Sequence, residues 1–292
     1  MSTTGDSRPL SDGIRQTYDA RGSEQSLSWD RASIARWRLV VEYLNRECIE
    51  RISAESFQKQ SPYPWTQIEG GLRPEAYESL RQALPDISVF DRKVGVKRGY
   101  GQASHNRAIL HYRPYVHLAK PWMEFVEEIQ GEFYESFIRR LFGLPAGQTI
   151  ILTLEWYYAW SGCSVSPHCD AKRKLGTHIF YFNPDAEWPD AWGGKILIMD
   201  DQKRFKAHSA PTFDQLGVTA ALDARGNRSL LFERTEHSWH GVRPLECPPE
   251  TLRKLFIVTV NVPSFQVWWR RVRGKDPDGY PLQVHGNGGT AL

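Results

Sequence analysis

Cysteine pairs, long apolar runs and a secretion signal are all missing from this sequence of 292 residues. Its four cysteines are scattered and form no CxxC pair. This spacing argues against a disulfide framework or a cysteine zinc site and favours a reducing, cytoplasmic location. The longest apolar stretch, residues 255–262, is far shorter than the ~20 residues that span a bilayer. The first residues lack the apolar core of a signal peptide, so we expect neither secretion nor a membrane partner.

A strong charge of either sign is also missing. The chain has 37 Lys and Arg against 34 Asp and Glu, a net charge of +3, which gives no reason to expect a nucleic-acid partner. Aromatic residues, by contrast, are plentiful: they make up 12% of the chain and include 11 tryptophans. With 40% hydrophobic residues, the composition indicates a globular protein with a sizeable core and excludes a wholly disordered or collagen-like chain.

The patterns along the chain place helices before strands. Apolar residues recur at helical spacing from residue 31 onward, and helices are predicted over 73–84 and 121–144. Strands are predicted where β-branched and aromatic residues run together, at 149–160, 175–182, 195–199, 229–233 and 254–262. Helices followed by strands indicate an α+β fold whose C-terminal half closes into a sandwich or barrel.

This order also suggests a division of the chain. A polar, flexible N-terminal arm is predicted at residues 1–30, followed by helical support and lid segments at 31–148. A β core is predicted at 149–263 and a tail at 264–292, with 31–263 forming one integrated domain.

Three residues have the types and spacing of a mononuclear metal site. His168 and Asp170 are two apart, so on a strand they face the same side. His240 comes later, in a segment that can return beside that strand. Two imidazoles and one carboxylate suit ferrous iron because further positions stay open, whereas a structural zinc site usually has four ligands. Taken alone, however, HxD with a distant histidine is a weak signal.

Further motifs surround these residues in a fixed order. They are the tyrosine pair at 157–158, HCD at 168–170, IFYFN at 179–183, WGGKI at 192–196, SLLF at 229–232, SWHGV at 238–242 and an arginine at 253. This order resembles that of the iron(II)/2-oxoglutarate-dependent dioxygenases, in their prolyl-4-hydroxylase-like branch, and the resemblance covers about residues 150–262. It implies a double-stranded β-helix (jelly-roll) core with N-terminal supporting helices.

The resemblance also implies a chemistry. His168, Asp170 and His240 would be the catalytic metal ligands for Fe(2+), with 2-oxoglutarate as co-substrate, O2 as oxidant and ascorbate as an optional reductant. The reaction would couple decarboxylation of 2-oxoglutarate to succinate and CO2 with hydroxylation of an unactivated C–H bond. Family halogenases have a small residue in place of the carboxylate, so the intact Asp170 favours hydroxylation or a related oxidation.

The distal carboxylate of 2-oxoglutarate needs a cation, for which Arg253 and Lys254 compete. Arg253 alternates with residues that include polar groups, whereas Lys254 shares its face with purely apolar ones, so Arg253 is preferred. By resemblance, the Tyr181 hydroxyl reaches the same carboxylate, and Tyr158 lies in the pocket.

Several alternatives stay open at this point. The substrate is a small molecule or a peptidyl, prolyl-type residue, and the oligomeric state is undetermined. A metal-binding, cupin-like ligand-binding protein or isomerase is the alternative function. The polar segment around residues 97–107 is a functional lid or an ordinary loop. The basic run at 172–174 is solvated or contacts an anionic substrate, and His237 is predicted to be a bystander.

Overall fold

A computed structural model describes residues 42–263, 265, 269 and 283–285, all within one unit that spans residues 41–292. The predicted arm at 1–30, the start of the helical pattern at residue 31 and most of the tail from 264 lie outside the described residues. Within the described residues, no helix is long and apolar enough to cross a membrane. The four cysteines all lie in this part of the chain and are free thiols.

The helices come first along the described chain. They are α1 (Arg46–Glu50), α2 (Ala54–Gln58), α3 (Pro74–Gln82), α4 (Lys120–Ile129) and α5 (Glu132–Phe142). Short 3-10 turns lie in the loops at Ile87–Val89, Gly99–Gly101, Asp185–Glu187, Asp190–Trp192 and Phe213–Gln215. The helix predicted over 73–84 is confirmed as α3, and Pro74 occupies its first turn, where its missing N–H costs nothing.

The single helix predicted over 121–144 is wrong, because α4 and α5 are separate. Gly131 adopts an extended conformation between them (φ −83°, ψ 167°), and its N–H donates to the Glu128 carbonyl. Glycine is a poor helix former, so Gly131 in the sequence already indicated a possible break in the helix. Within α4, Met123 is 52% exposed, whereas Trp122 and Phe125 are buried.

The strands form two antiparallel sheets. They are β1 (Trp65–Glu69), β2 (Asp91–Lys93), β3 (Arg107–His111), β4 (Ile150–Ala159), β5 (Val165–His168), β6 (Lys174–Tyr181), β7 (Ile196–Asp200), β8 (Gly217–Leu222), β9 (Arg228–Glu233), β10 (Trp239–Val242), β11 (Arg253–Asn261) and β12 (Gln283–His285). The large sheet has the order β1-β9-β6-β11-β4-β3-β2, with β12 also paired to β4, and the small sheet has the order β5-β10-β7-β8. The fold is α+β, with the double-stranded β-helix core that the family resemblance implies.

The large sheet separates two apolar compartments. On one face, alternate residues of β11 such as Phe256 and Val258 pack against helix residues that include Trp122 and Phe125. On the other face, residues such as Leu255 pack toward the small sheet. Because side chains alternate along a strand, β11 contributes to both compartments, and the second compartment contains the cavity described below.

All five predicted strands are present, each within a residue or two of its predicted ends. In the small sheet, β7 was predicted, whereas β5, β8 and β10 were not. β5 and β10 have four residues each and contain Pro167 and Gly241, which are depleted in strands. These two strands nevertheless carry two of the candidate metal ligands.

A substitution at Gly176 on β6 tests how tightly helix α5 packs on the large sheet. A Cβ built there would lie 2.4 Å from both the Phe142 ring and the Phe232 carbonyl oxygen. We therefore expect Gly176→Ala to lower the free energy of unfolding by about 1–3 kcal/mol or more. Gly147→Ala is the control, because nothing lies within 4 Å of a Cβ at that position. Equal stability of the two variants in urea denaturation would contradict the described packing.

Candidate metal centre

Strands β5 and β10 bring the two predicted histidine ligands together. His168 ends β5 and lies directly opposite His240 in the antiparallel register, with the ring centroids 4.4 Å apart. Asp170 follows β5 by two residues. One ligand atom from each of the three side chains lies within 4.8 Å of the other two, so the predicted HxD…His set converges on one point.

Each imidazole is held in one orientation by a backbone carbonyl. Nδ1 of His168 lies 3.0 Å from the Ser166 carbonyl oxygen, and Nδ1 of His240 lies 2.9 Å from that of Ser238. A carbonyl only accepts, so Nδ1 carries the proton and Nε2 keeps its lone pair for a metal. Burial lowers the pKa of both histidines, which keeps the rings neutral and able to bind a cation.

The carboxylate of Asp170 is fixed from two sides. Its Oδ1 accepts from the Lys174 ammonium and its Oδ2 from the Thr177 hydroxyl, both at 2.8 Å. Burial alone raises the pKa of Asp170, but the charge and hydrogen bond of Lys174 lower it, and the net shift is downward. The group is therefore ionised, and each oxygen retains a lone pair for a metal.

A cavity of about 730 Å³ opens beside these three residues, between the two sheets. Apolar side chains from both sheets line it, together with the following polar and charged groups: Asp91, Lys93, Arg98, His105, Arg107, His111, Glu155, Asp170, Arg173, Lys174, Thr177 and Arg253. Its volume lies in the range of about 300–1,000 Å³ that is typical of small-molecule sites.

The preference for Arg253 over Lys254 agrees with the geometry. Arg253 is 2% exposed and lines the cavity, whereas Lys254 is not among the lining residues. Nη2 of Arg253 donates to the Gly194 carbonyl at 2.6 Å, and its guanidinium lies 5.8 Å from the centre of the Tyr181 ring. Both Arg253 Nε and the Tyr181 hydroxyl are buried without a hydrogen-bond partner among the described residues.

Tyr158 does not lie in the pocket, and this prediction is wrong. Its ring stacks on Phe90 at 4.3 Å and its hydroxyl donates to the Pro85 carbonyl, on the helical side of the large sheet. The neighbouring Tyr157 lines the cavity instead. Tyr157 and Tyr158 are neighbours on β4, so their side chains lie on opposite faces of the large sheet. The prediction chose the tyrosine that faces the helices.

Sequence reasoning missed His105, which is buried beside the first metal ligand. Its ring centroid lies 5.1 Å from that of His168, and its Nε2 lies 3.0 Å from the Ser166 hydroxyl. Burial, followed by the charges of Arg98 and Arg107, lowers the pKa of His105 to about 3. His105 comes from the loop before β3, and no local pattern indicates that this loop reaches β5.

Two of the open alternatives are clarified by the contacts. The basic run at 172–174 is not simply solvated, because Lys174 pairs with Asp170 and Arg173 lines the cavity. His237 faces away from the metal set: its Nδ1 lies 3.0 Å from both carboxylate oxygens of Asp201.

Comparison with known proteins agrees with this site. Residues 155–260 match the 2OG-Fe(II) oxygenase superfamily. Among solved structures, the chain is similar to a prolyl hydroxylase from Trichoplax adhaerens in complex with a hypoxia inducible factor oxygen degradation domain peptide fragment, at 16% identity over 74% of this chain and 90% of that chain, with a TM-score of 0.50. It is also similar to SnoK, a non-heme alpha ketoglutarate dependent carbocyclase from nogalamycin biosynthesis, at 12% identity over 81% and 95% of the two chains, with a TM-score of 0.52. No curated protein matched the sequence.

The match of residues 155–260 to the 2OG-Fe(II) oxygenase superfamily confirms the resemblance indicated by the sequence motifs. The family uses Fe(2+), 2-oxoglutarate and O2. The solved structures share its fold at low sequence identity.

The metal set can be tested by binding alone. We expect His168→Ala and His240→Ala each to weaken Fe(2+) binding more than about 100-fold, because a lost ligand costs more than a lost outer-shell partner. His237→Ala should bind normally, since that ring contacts Asp201. Anaerobic calorimetric titration measures the affinity, and circular dichroism checks the fold. Undiminished binding by either ligand variant would exclude this site.

Proposed function

We propose that this protein is a 2-oxoglutarate-dependent dioxygenase that hydroxylates an unactivated C–H bond of a small molecule or of a peptidyl residue. His168, Asp170 and His240 would hold the iron, and Arg253 and Tyr181 would bind the distal carboxylate of 2-oxoglutarate. The iron, once bound, would supply the activation of O2. The protein would orient the metal ligands and bind the co-substrate.

The observation that carries this proposal is the pair of buried, unpartnered groups at Arg253 and Tyr181. A buried guanidinium without a carboxylate is costly, and Arg253 has no ion pair within the described part of the chain. Its free Nε and the Tyr181 hydroxyl can both donate to a carboxylate. A cupin-like binder or isomerase has no need of a buried cation in this cavity, so this pair favours the oxygenase.

The protein also orients the metal set. The carbonyls of Ser166 and Ser238 fix the imidazoles, and Lys174 with Thr177 fixes the carboxylate. Apolar side chains also lie beside the ligands, including Phe232, whose ring lies 4.5 Å from that of His240. Displacement of water when a substrate fills the cavity would limit side reactions of reactive species.

Hydroxylation is favoured over halogenation because Asp170 retains its carboxylate. The similar structures carry out different chemistry, one being a prolyl hydroxylase with a peptide and the other a carbocyclase. The shared fold therefore does not define the substrate class, which depends on the residues that line the rest of the cavity.

The co-substrate anchor gives a first test. We expect Arg253→Leu to raise the 2-oxoglutarate concentration needed for half-saturation by about tenfold or more, because charge-assisted hydrogen bonds to the carboxylate are lost. Lys254→Leu should leave it nearly unchanged, since Lys254 does not line the cavity. Succinate formation at varied 2-oxoglutarate measures both. A larger increase in the half-saturating 2-oxoglutarate concentration for Lys254→Leu than for Arg253→Leu would show that Lys254 binds the distal carboxylate.

A second test separates the oxygenase from the metal-binding alternative. Anaerobic addition of Fe(2+) and 2-oxoglutarate should produce the weak visible charge-transfer band of the chelate, and admission of O2 should then release succinate. His168→Ala should show neither. A wild-type protein that binds Fe(2+) but shows no band at saturating 2-oxoglutarate would support the cupin-like function instead.

A further inference from the structure

Two cations of the cavity have no role in the site described so far. Arg98 and Arg107 both line it, and both come from the segment that the sequence left open as lid or loop. Arg107 lies on β3, with its guanidinium 5.9 Å from the centre of the Tyr157 ring. Burial lowers the pKa of Arg98, and the charge of Arg107 lowers it further, so the two guanidinium groups are close enough to repel.

Among the described residues, Arg98 and Arg107 donate hydrogen bonds only to neutral groups. Arg98 Nη1 donates to His105 Nδ1 at 2.7 Å and its Nε to Gln102 Oε1 at 3.2 Å. Arg107 Nη1 donates to the His105 carbonyl oxygen at 2.9 Å. Within the described part of the chain, neither arginine forms an ion pair with a carboxylate. Each guanidinium has five N–H donors, so both retain donors for a ligand.

The carboxylates of the cavity are already engaged by other cations or by histidine. Asp170 pairs with Lys174 at 2.8 Å, Glu155 lies 3.2 Å from His111, and Asp91 lies 3.9 Å from Lys93. Glu155 and Asp170 still attract Arg107 and Arg98 at longer range. The cavity is nevertheless lined by six Lys and Arg residues against three Asp and Glu residues, so its lining keeps a net positive charge.

Neighbouring contacts hold Arg98 in place. His105 is 6% exposed, and an arginine only donates, so Nδ1 of His105 accepts from Arg98 and its Nε2–H donates to the Ser166 hydroxyl at 3.0 Å. Gln102 also donates to the Ser209 carbonyl at 3.1 Å. These bonds order the side chain before any ligand arrives, and preorganisation of this kind reduces the cost of binding.

From this geometry we propose that the substrate is a small molecule bearing a carboxylate or phosphate group, which Arg98 and Arg107 bind beside the metal site. The inference rests on the proposed function, since it names the substrate class of that same cavity. The hydrogen bonds that run from Arg98 through His105 end at the hydroxyl of Ser166, the residue whose carbonyl orients His168. The bound anion therefore lies near the metal, as a substrate that presents a C–H bond to it requires.

The test measures binding to the anaerobic enzyme loaded with Fe(2+) and saturating 2-oxoglutarate. The probes are matched pairs, namely hexanoate with hexanamide, benzoate with benzamide, and phenyl phosphate with phenol. We expect at least one anion to bind about tenfold or more tightly than its neutral partner. Arg98→Gln and Arg107→Gln should each remove most of this preference. Lys97→Gln should keep it, because Lys97 is exposed and does not line the cavity.

Three results of this binding test would overturn the inference. The first is equal binding of every anion and its neutral partner, or no binding of any anion at millimolar concentration. The second is an anion preference that survives in Arg98→Gln and Arg107→Gln. The third is tighter binding of a capped glutamate-containing peptide than of every small acid.

The charge-transfer band separates this failure from failure of the proposed function. A normal band with no anion preference refutes the substrate class and leaves the oxygenase intact, whereas an absent band in the wild-type protein refutes the oxygenase itself. Weaker 2-oxoglutarate binding in Arg98→Gln, read from the same band, would assign Arg98 to the co-substrate and also overturn the inference.

Discussion

The antiparallel register between β5 and β10 is the constraint on which the site depends. It places His168 directly opposite His240, although the two residues are far apart in the sequence. A shift of one residue would turn either side chain to the opposite face of the small sheet. The carbonyls that orient the imidazoles belong to Ser166 and Ser238, each two residues before its histidine. The same strand pairing therefore sets both the positions and the tautomers of these ligands.

Much of the fold was predictable because long strands buried on both faces have a strong sequence pattern. β4 and β11 are rich in β-branched, aromatic and other apolar residues, and both were predicted to within two residues. The small sheet is different: its strands β5 and β10 are short and interrupted by Pro167 and Gly241. Tertiary pairing rather than local propensity stabilises such strands. The break between α4 and α5 was missed because the apolar spacing continues across Gly131 and outweighed the single glycine.

Some residues of the candidate site could also be predicted from the sequence, and others could not. The metal set was predictable because two of its members share an HxD motif, and Arg253 because alternation along β11 distinguishes it from Lys254. Tyr158 was placed wrongly because its neighbour Tyr157 has the same chemistry, and only the packing shows which ring faces the cavity. His105 could not be found at all, since its importance comes from a contact with β5 across 61 residues of sequence.

The positive charges of the cavity lie in two regions that differ in burial. Arg253 is almost completely buried and already donates to Gly194, whereas Arg98 and Arg107 are only half-buried on the segment before β4. Salt screens exposed charges more strongly than buried ones, so the two regions would hold an anion with different strength. A dicarboxylic acid gains most from the buried cation, where its charge is least screened. An anionic substrate would meet the more accessible arginines. Under the proposed function, the two anionic ligands would thus bind to cations that have the same charge but differ in burial.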